Sequence, residues 1–333
     1  ILAYLYWKET GDLSVWKGIV QDALVMNLDD MAVAGVADGF VVSSNIARNA
    51  SRIPGEVLQA IILGAEEFLQ GLRDQGVGAH LAGGETADVG DLVRTVDVGY
   101  TVAARAKRSD ILEVDVQPDD VVVGIASYGQ ATYESDYNSG IGSNGLTSAR
   151  HDLLSKHYAE VYPESFEPKL DPAVVYNGQY RLTDEITLPD GSITDIGRLL
   201  LSPTRTYLPL LKRLFDKHRS ELHGIIHNTG GGLTKVLNFI SDLHVIKDNP
   251  LPPPPIFELI QPAVPTPWHE MYQTFNMGQR LEVFTDEKTA TAVVAAAAEL
   301  GLDAQIIGRC IEAEGERAVY VVHEGETFEY LKD

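Results

Sequence analysis

Apolar residues recur at the spacing of an amphipathic helix in two long stretches near the start of the chain. This pattern predicts helices over residues 16–37 and 54–75. Alternating apolar and polar residues predict strands over residues 39–46, 78–82 and 93–104. The polar segment 105–110 marks the best domain boundary, so we expect an N-terminal domain over residues 1–106 and a C-terminal domain over residues 107–333.

The rest of the chain mixes helices and strands in the same way. Its predicted strands cover residues 121–126, 224–227, 280–284, 304–308 and 318–322. Its predicted helices cover residues 146–154, 233–241 and 287–300. A polar loop is predicted at 127–145, and a hairpin at 176–194 has its turn at Pro189, Asp190 and Gly191. Both halves therefore predict a two-domain protein of mixed α/β or α+β class, with the larger domain at the C-terminus.

Prolines lead to two further expectations. A helix should open near Ser202 and Pro203, because serine suits an N-cap and proline suits the first helical position. Pro209 should then break or kink that helix. Eight of the 16 prolines lie between residues 250 and 267, which predicts a stiff connector there and not an element of the core.

Charge and cysteine content narrow the possible partners and location. The 26 basic and 48 acidic residues give a net charge of −22, which would repel nucleic acid and anionic membranes. The single cysteine, Cys310, allows no intramolecular disulfide and favours the cytoplasm. No apolar run approaches the ~20 residues of a spanning helix. The chain begins without Met, so we expect its true N-terminus to lie further upstream.

Three carboxylates lie in the first predicted helix, which is otherwise apolar. At ~100° per residue, Asp29 lies within about 20° of Asp22 and Asp30 about 80° away, so the three side chains are able to converge. Convergent carboxylates suit a hard cation such as magnesium, which proteins usually hold together with substrate phosphates. The alternative is a solvated acidic helix face.

Two glycine-containing segments suggest close approach of the backbone to a ligand. The segment Gly83-Gly84-Glu85-Thr86 ends a strand of small residues, and Glu85 offers a further metal ligand; the alternative is an ordinary turn. The run from Gly140 to Gly145 fits G-x-G-x-x-G, but some 13 residues separate it from the preceding strand, which excludes a Rossmann site. Ser143-Asn144-Gly145 remains as a phosphate-binding turn or as an ordinary N-cap turn.

Two more segments place anion donors at predicted helix starts. Arg205, in Ser202-Pro203-Thr204-Arg205, offers a planar donor fork for phosphate. The run from Thr229 through Gly230, Gly231 and Gly232 offers free backbone amides. His227 stands at a strand end just before that run and is a candidate acid–base group. A histidine that merely caps the glycine loop is the alternative.

Taken in order, these segments resemble the aminoimidazole ribonucleotide (AIR) synthetase family, the phosphoribosylformylglycinamidine cyclo-ligases. The run from Asp22 to Gly35 is similar to the family's D-x-x-x-M-x-x-N-D-x-x-x-x-G. The chain also carries G-G-E-T at 83–86, S-N-G at 143–145, P-T-R at 203–205, T-G-G-G at 229–232 and E-M-Y-x-T-F-N at 270–276. Each motif is short, but six of them in the family's order span nearly the whole chain.

The resemblance implies a fold, an oligomer and a chemistry. It implies N-terminal domains that pair their sheets across a homodimer, with ATP and a phosphoribosyl substrate, formylglycinamidine ribonucleotide, in long clefts. It further implies that ATP phosphorylates the formyl amide oxygen of that substrate and that the substrate's amidine nitrogen then closes the imidazole ring of purine biosynthesis.

The matched motifs also imply roles for single residues. ATP and magnesium are assigned to Asp22, Asp29, Asp30, Gly83, Gly84, Glu85 and Thr86, with Asp22, Asp29, Asp30 and Glu85 as the metal ligands. The substrate is assigned to Ser143, Asn144, Gly145, Thr204, Arg205, Thr229, Gly230, Gly231, Gly232 and Asn276. His227 and Asp30 are the expected catalytic residues.

Several positions depart from the family pattern. Gly142 stands where the family has His before S-N-G, Asp29 stands for its Asn, and 276–280 reads N-M-G-Q-R where the family has N-C-G-V-G. The family's D-G-x-G-T-K segment is not found in the chain. Other ATP-dependent enzymes of the superfamily, such as formylglycinamidine ribonucleotide synthetase, selenophosphate synthetase or thiamine phosphate kinase, and a non-catalytic nucleotide-binding relative, therefore remain alternatives.

Overall fold

A computed structural model describes residues 1–188, 190–263 and 266–332. Its α-helices are α1 Leu2–Thr10, α2 Val15–Val33, α3 Gly55–Asp74, α4 Leu146–Leu153, α5 His157–Val161, α6 Ile196–Leu200, α7 Leu208–His218, α8 Pro255–Ala263, α9 Trp268–Thr274 and α10 Glu287–Ala298. Its strands are β1 Phe40–Arg48, β2 Ala79–Asp88, β3 Val96–Ala103, β4 Val121–Ala126, β5 Tyr128–Gly129, β6 Asn138–Ser139, β7 Glu185–Thr187, β8 Ile193–Asp195, β9 Leu222–His227, β10 Leu243–Lys247, β11 Gln279–Thr285, β12 Ala304–Glu312, β13 Arg317–His323 and β14 Glu326–Leu331. The predicted mixture of helices and strands is confirmed.

The N-terminal half forms a three-stranded sheet in the order β2-β1-β3, with β1 parallel to β2 and antiparallel to β3. Helix α2 packs against α3 and β3. Alternation along β1 explains this arrangement, because Phe40 and Val42 are buried whereas Val41 and Ser43 face outward. One face of the sheet is thus covered by helices and the other is left open.

The C-terminal half is built on a seven-stranded sheet in the order β14-β13-β10-β12-β4-β11-β9. Every residue of β11 is buried, and β4 beside it is an almost continuous apolar run, as expected for strands covered on both faces. Helix α10 packs against β4 and β12, and α2 reaches across from the other half to contact α7 and β9. This last contact brings the aspartates of α2 to the end of β9.

The helix expected near Ser202 and Pro203 begins later than predicted. Residues 202–207 are not helical, and α7 starts at Leu208 with Pro209 in its first turn. Proline is tolerated in the first turn of a helix, where its missing N–H would have no partner. The prediction that Pro209 breaks or kinks the helix is therefore wrong. The segment before it is held by side chains of α2, which are described below.

The proline-rich segment 250–267 is not the connector that the sequence predicted. It contains α8, whose Ile256, Phe257 and Ile260 are buried. The prolines fall where a helix tolerates them, with Pro255 as its first residue and Pro262 next to its last, so the apolar residues between them still pack into the core. Residues 264 and 265, also in the predicted connector, lie outside the described residues.

Other predictions differ from the structure in extent. β2 continues through the Gly83-Gly84 pair to Asp88. Helix α1 and strands β10 and β14 were not predicted. The helix expected at 233–241 is a 3₁₀ helix, Gly232–Asn238. The hairpin is the short pair β7–β8; Pro189 of its predicted turn lies outside the described residues. None of the described helices is long and apolar enough to cross a membrane.

Candidate active site

Two aspartates of α2 hold the segment that precedes α7. Oδ1 of Asp22 accepts hydrogen bonds from both the backbone N and Oγ1 of Thr204, each at 2.7 Å. Oδ1 of Asp29 accepts from Oγ1 of Thr206 at 2.6 Å, and its Oδ2 accepts from the backbone N of Tyr207 at 2.8 Å. Two of these bonds satisfy backbone N–H groups of the non-helical residues 204–207, and all four tie the two halves of the chain together.

Burial changes the acidity of these two carboxyl groups. It raises the pKa of Asp22 to about 6 and the pKa of Asp29 to about 7, while the hydrogen bonds from the threonines and the charge of Arg280 act in the opposite direction. Asp29 is fully buried. Both groups therefore take up a proton more readily than an ordinary aspartate.

Asp30, His227 and Arg280 form a hydrogen-bonded chain. Oδ1 of Asp30 lies 3.0 Å from Nδ1 of His227, and Nε of Arg280 donates to Nε2 of His227 at 2.9 Å. Because a guanidinium can only donate, Nε2 is the acceptor and the imidazole proton is on Nδ1, facing Asp30. Burial lowers the pKa of His227 to about 4, so the ring is neutral at pH 7. Neither ring nitrogen has a free lone pair for an external proton in this arrangement.

The two ends of this chain differ in exposure. The side chain of Asp30 is 60% exposed, and its hydrogen bond with His227 lowers its pKa. Arg280 is 1% exposed, and its Nη1 and Nη2 have no hydrogen-bond partner. Nη1 lies so close to Gly142 that a Cβ atom at position 142 would overlap it. The hydrogen-bonded chain therefore has a solvent-exposed carboxylate at one end and, at the other, a buried guanidinium with unused N–H groups.

The glycine-rich turn after β9 brings a lysine to the same place. Nζ of Lys235 donates to Oγ1 of Thr229 at 2.6 Å, and the pKa of this half-buried lysine is lowered by burial and by Arg280 and raised by Asp30. A Cβ atom on Gly232 would overlap the carbonyl oxygens of Tyr272 and Phe275, so only glycine fits there. Lys235 is not among the site residues predicted from the sequence; its position six residues after Thr229 is the available signal.

Arg205 does not have the role we predicted for it. Its Nε and Nη2 donate to the two carboxylate oxygens of Glu134, at 2.9 and 2.5 Å, and its Nη1 donates to the carbonyls of Ala126 and Tyr128. The residue is 1% exposed. Because four of its five N–H groups are already used within the protein, the expected contact with a substrate phosphate is contradicted by this geometry.

Asn276 is likewise committed to internal bonds. Its Oδ1 accepts from Oγ of Ser127 and from the backbone N of Gly278, and its Nδ2 donates to the carbonyls of Gly140 and Ile141. The predicted contact with substrate is therefore replaced by a structural role, because no donor or acceptor of the amide remains free. Asn276 fixes the loop that leads into Ser143-Asn144-Gly145, a half-buried turn just before α4.

The segment 83–86 lies apart from this cluster. Gly83, Gly84, Glu85 and Thr86 are part of β2 and pair with residues 43–46 of β1. Gly84 is required there because a Cβ atom would overlap Ser44. All four residues are exposed, and no hydrogen bond between described residues joins them to Asp30, His227 or Arg280.

The four predicted magnesium ligands differ in how well they suit a metal. No group of three or more His, Cys, Asp or Glu side chains in the described part of the chain is arranged to hold one. Magnesium commonly takes only one or two protein carboxylates, each with a free oxygen. Asp29 does not fit, because both its oxygens accept protein hydrogen bonds. Asp30 and Glu85 are exposed and fit better.

A groove of about 620 Å³ lies between α2, α3 and residues 133–138. Gln21, Phe68, Tyr137 and Pro203 are among its lining residues. Neither Asp30, His227 nor Arg280 lines it. The groove is therefore a feature separate from the cluster around Arg280.

Both halves of the chain match family models of one class of protein. The N-terminal domain of AIR synthase related proteins matches residues 3–106, and the C-terminal domain of AIR synthase related proteins matches residues 117–321. The chain therefore belongs to the family of AIR synthase related proteins. The resemblance inferred from the motifs is confirmed.

Curated relatives narrow the likeness within that family. The chain is 31% identical over 294 residues to a phosphoribosylformylglycinamidine cyclo-ligase of Methanocaldococcus jannaschii, covering 88% of this chain and 71% of the relative. It is 32% identical over 258 residues to the enzyme of the same name from Methanopyrus kandleri, covering 75% of this chain and 62% of the relative. The enzyme class predicted from the motifs agrees with these names.

Solved structures show the same fold at much lower identity. E. coli HypE, a hydrogenase maturation protein, superposes with a TM-score of 0.56 at 14% identity, covering 95% of this chain and 79% of HypE. T. maritima PurL complexed with FGAR gives 0.54 at 14%, with 94% and 42% covered. Thiamine monophosphate kinase of Aquifex aeolicus gives 0.53 at 11%, with 92% and 81% covered. These likenesses concern the fold alone.

Proposed function

We propose that this chain is an ATP-dependent cyclo-ligase that converts formylglycinamidine ribonucleotide to aminoimidazole ribonucleotide. The observation that carries the proposal is the convergence of three segments with family motifs, α2, the 142–145 turn and the T-G-G-G turn, together with β11 around the chain Asp30–His227–Arg280. The names of the curated relatives support it.

In the proposed reaction the γ-phosphoryl group moves from ATP to the formyl amide oxygen of the substrate, which releases ADP. The amidine nitrogen of the substrate then bonds to the formyl carbon. The bond from that carbon to the phosphorylated oxygen breaks, and phosphate and a proton leave. The protein's task in such a phosphoryl transfer is to position the two reactants and to stabilise negative charge.

The structure offers two sets of donors for that task. Lys235 uses one of its three N–H groups on Thr229 and keeps the others free beside exposed Asp30. The exposed Gly230 has no neighbour within 4 Å of a built Cβ, so a ligand is able to approach its backbone. We assign phosphate contacts to Lys235 and the turn 229–231, and to Ser143 and Asn144 in the half-buried turn.

Other predicted residues act by positioning. Asp22 and Thr204 bond to each other, and Arg205 and Asn276 bond to neighbouring loops. His227 orients the guanidinium of Arg280 and shares its other nitrogen with Asp30. To accept a proton from the substrate, as its predicted acid–base role requires, His227 would first have to release Arg280.

Magnesium enters the proposal through Asp30, which keeps a free oxygen. Glu85 also has an exposed carboxylate, with Gly83, Gly84 and Thr86 on the nucleotide side, but this segment lies apart from Asp30, so the two carboxylates would not hold one ion. The ion would neutralise phosphate charge when it is bound with ATP. We test this with Asp30→Ala at limiting magnesium, where we expect turnover to fall well below that of the unchanged protein and to recover in part at high magnesium. Unchanged turnover at limiting magnesium would contradict the role of Asp30.

The proposed function is tested by phosphate release from ATP in the presence and absence of formylglycinamidine ribonucleotide, with the imidazole product measured in parallel. We expect phosphate release that depends on the substrate and matches product in a 1:1 ratio. ATP binding without either product would indicate a non-catalytic nucleotide-binding protein. Substrate-independent phosphate release would favour another activity of the superfamily.

We also propose that residues 1–106 form the N-terminal domain. Two copies of this domain form a homodimer through the open face of the three-stranded sheet. Val41 is 51% exposed on this face, beside the outward-facing Ser43 and Asn45. Asn45 pairs with Glu85, so the same surface carries one of the proposed metal contacts. Sedimentation should show a dimer at micromolar concentration and a monomer after Val41→Lys, and a monomer in the unchanged protein would contradict the proposal.

A further inference from the structure

Gly142 and Arg280 have exchanged size relative to the family pattern. In the family pattern that the motifs resemble, His stands at the position of Gly142 and Gly at the position of Arg280. In this chain Nη1 of Arg280 lies where a side chain at position 142 would begin, because a Cβ atom there would overlap it. Arg280 therefore occupies the space that any side chain at position 142 would need, and it brings a positive charge there.

The guanidinium of Arg280 is unsatisfied in a way that calls for a ligand. Arg280 is 1% exposed, and Nη1 and Nη2, which together carry four N–H groups, have no partner. No carboxylate of the described residues lies within 4.0 Å as an ion pair with it, in contrast to buried Arg205, which Glu134 satisfies. Burial lowers the pKa of Arg280, and the carboxylates of Asp22, Asp29 and Asp30 raise it, so its charge is balanced in part from a distance. Its four N–H groups still lack acceptors, and this favours an occupant that accepts hydrogen bonds.

The rest of the guanidinium is held in a fixed orientation. Nε donates to His227, which is itself anchored by Asp30, so the plane of the guanidinium is fixed relative to that pair. Lys235, the other cation of the cluster, lies at the adjoining glycine-rich turn. Two cations with unused N–H groups at one place suit an oxyanion, because a guanidinium binds phosphate or carboxylate with two parallel bonds.

We propose that Nη1 and Nη2 of Arg280 bind an oxyanion of a ligand at the turn formed by Gly142 to Gly145. The ligand reaches these atoms by displacing the half-buried turn. The inference deepens the proposed function in one respect only, since the identity of the ligand as ATP or phosphoribosyl substrate rests on that function. The binding of an oxyanion itself requires no turnover.

Titration calorimetry with inorganic phosphate tests the proposal directly. We compare the unchanged protein with Arg280→Lys, which keeps the charge but loses the fork, and with Arg280→Met, which loses both. We expect binding to weaken by roughly tenfold or more in Arg280→Met and by less in Arg280→Lys. Arg213→Met serves as the matched control, because Arg213 is an exposed arginine paired with Glu299. Equal affinity in the unchanged protein and Arg280→Met would overturn the proposal.

Two further probes identify which oxyanion is bound. If the phosphoryl group of the nucleotide is the ligand, Arg280→Met weakens ATP binding and leaves ribose 5-phosphate binding unchanged; if the phosphate ester of the substrate is the ligand, the reverse holds. Either pattern supports the proposal, and an effect on neither probe overturns it. Phosphate binding that depends on Arg280, in a protein without ring-closure activity, would support this inference and contradict the proposed function. Ring-closure activity without Arg280-dependent phosphate binding would support the proposed function and contradict this inference.

A stability measurement tests the exchange without any ligand. We expect Gly142→His to lower the thermal unfolding temperature, because the new side chain overlaps Arg280. Adding Arg280→Gly should restore much of that loss, since the double variant recreates the family's pair. Losses that simply add would show that the two positions do not share one volume and would overturn the exchange.

Discussion

Glu134 binds the guanidinium of Arg205 with both carboxylate oxygens, at 2.9 Å from Nε and 2.5 Å from Nη2. The two side chains are 71 positions apart in the sequence, and 11% or less of either is exposed. The remaining nitrogen of Arg205 bonds to carbonyls at the end of β4 and the start of β5. The pair thus fixes the loop after β4 against the segment that α2 holds.

Replacing Glu134 by Gln should destabilise the fold strongly. The change leaves the charge of Arg205 buried without a counter-ion, which typically costs about 3–5 kcal/mol in the free energy of unfolding. Urea unfolding measures it. Lys17→Gln is the control, because Lys17 and Glu67 form an exposed pair for which about 0–1 kcal/mol is expected. Similar small losses in both variants would show that the buried pair is not needed.

Asp29→Asn should change how stability depends on pH. The pKa of Asp29 is about 7 in the folded protein, whereas its ordinary value is 3.8. The stabilisation that this group contributes to the folded protein through its proton is therefore fully present below pH 4 and is lost as pH rises through 7. His227 acts in the opposite direction: its pKa of about 4 lies below the ordinary 6.5, so its contribution is lost as pH falls through 4.

Comparing the two proteins isolates the effect of Asp29, because His227 is present in both. Between pH 5 and pH 8 the unchanged protein should lose on the order of 1 kcal/mol or more relative to Asp29→Asn, measured by urea unfolding. Asparagine can still accept from the amide of Tyr207 and donate to Thr206, so the variant should fold. Parallel pH profiles for the two proteins would contradict the raised pKa.

Neighbouring glycines of the T-G-G-G turn should respond differently to alanine. Gly232→Ala should lower the free energy of unfolding by several kcal/mol, because its Cβ would overlap the carbonyls of Tyr272 and Phe275 and its φ is +50°. Gly230→Ala has open space around the new Cβ and should change stability by less than about 1 kcal/mol. If Gly230→Ala nevertheless weakens ATP or substrate binding, the turn approaches a ligand; unchanged binding would remove it from the site.

Lys235→Gln should weaken binding of phosphate-containing ligands more than it affects the fold. A charged hydrogen bond to a ligand contributes about 1.5–3 kcal/mol, so KM or Kd should rise by roughly tenfold or more. Thermal unfolding should move little, because the lysine makes a single bond, to Thr229. Lys212→Gln, which removes a surface pair with Asp38, is the control. An unchanged KM would exclude Lys235 from the site.

The fold was predictable from the sequence where the apolar periodicity was strong. The prediction failed where tertiary contacts determine the local structure. Helices α2 and α3 and strands β1 and β4 follow the apolar pattern closely. The non-helical segment 202–207 was missed because aspartates about 180 positions earlier satisfy its backbone, which no local pattern shows. The number of prolines around α8 indicates a connector, whereas their positions at the two ends of α8 are compatible with a helix.

The candidate site was predictable in its residues but not in its pairings. The motifs pointed to Asp30, His227 and the T-G-G-G turn, which do lie together. Arg205 and Asn276 were expected to face substrate because the sequence shows their donors but not Glu134 or Ser127, the distant groups that satisfy them. Arg280 carried a signal only as a departure from the family pattern, and its meaning needed the contact with Gly142.

The bonds from α2 to residues 204–207 also limit how the molecule can move. Asp22 and Asp29 join the three-stranded half to the seven-stranded half at fixed points beside the candidate site. A hinge that swings one half away from the other would break four hydrogen bonds at once, two of them buried, so ligand entry is expected to depend on the glycine-containing turns instead. Heat should accordingly unfold the two halves in a single cooperative transition, with hydrogen exchange slowest along this seam.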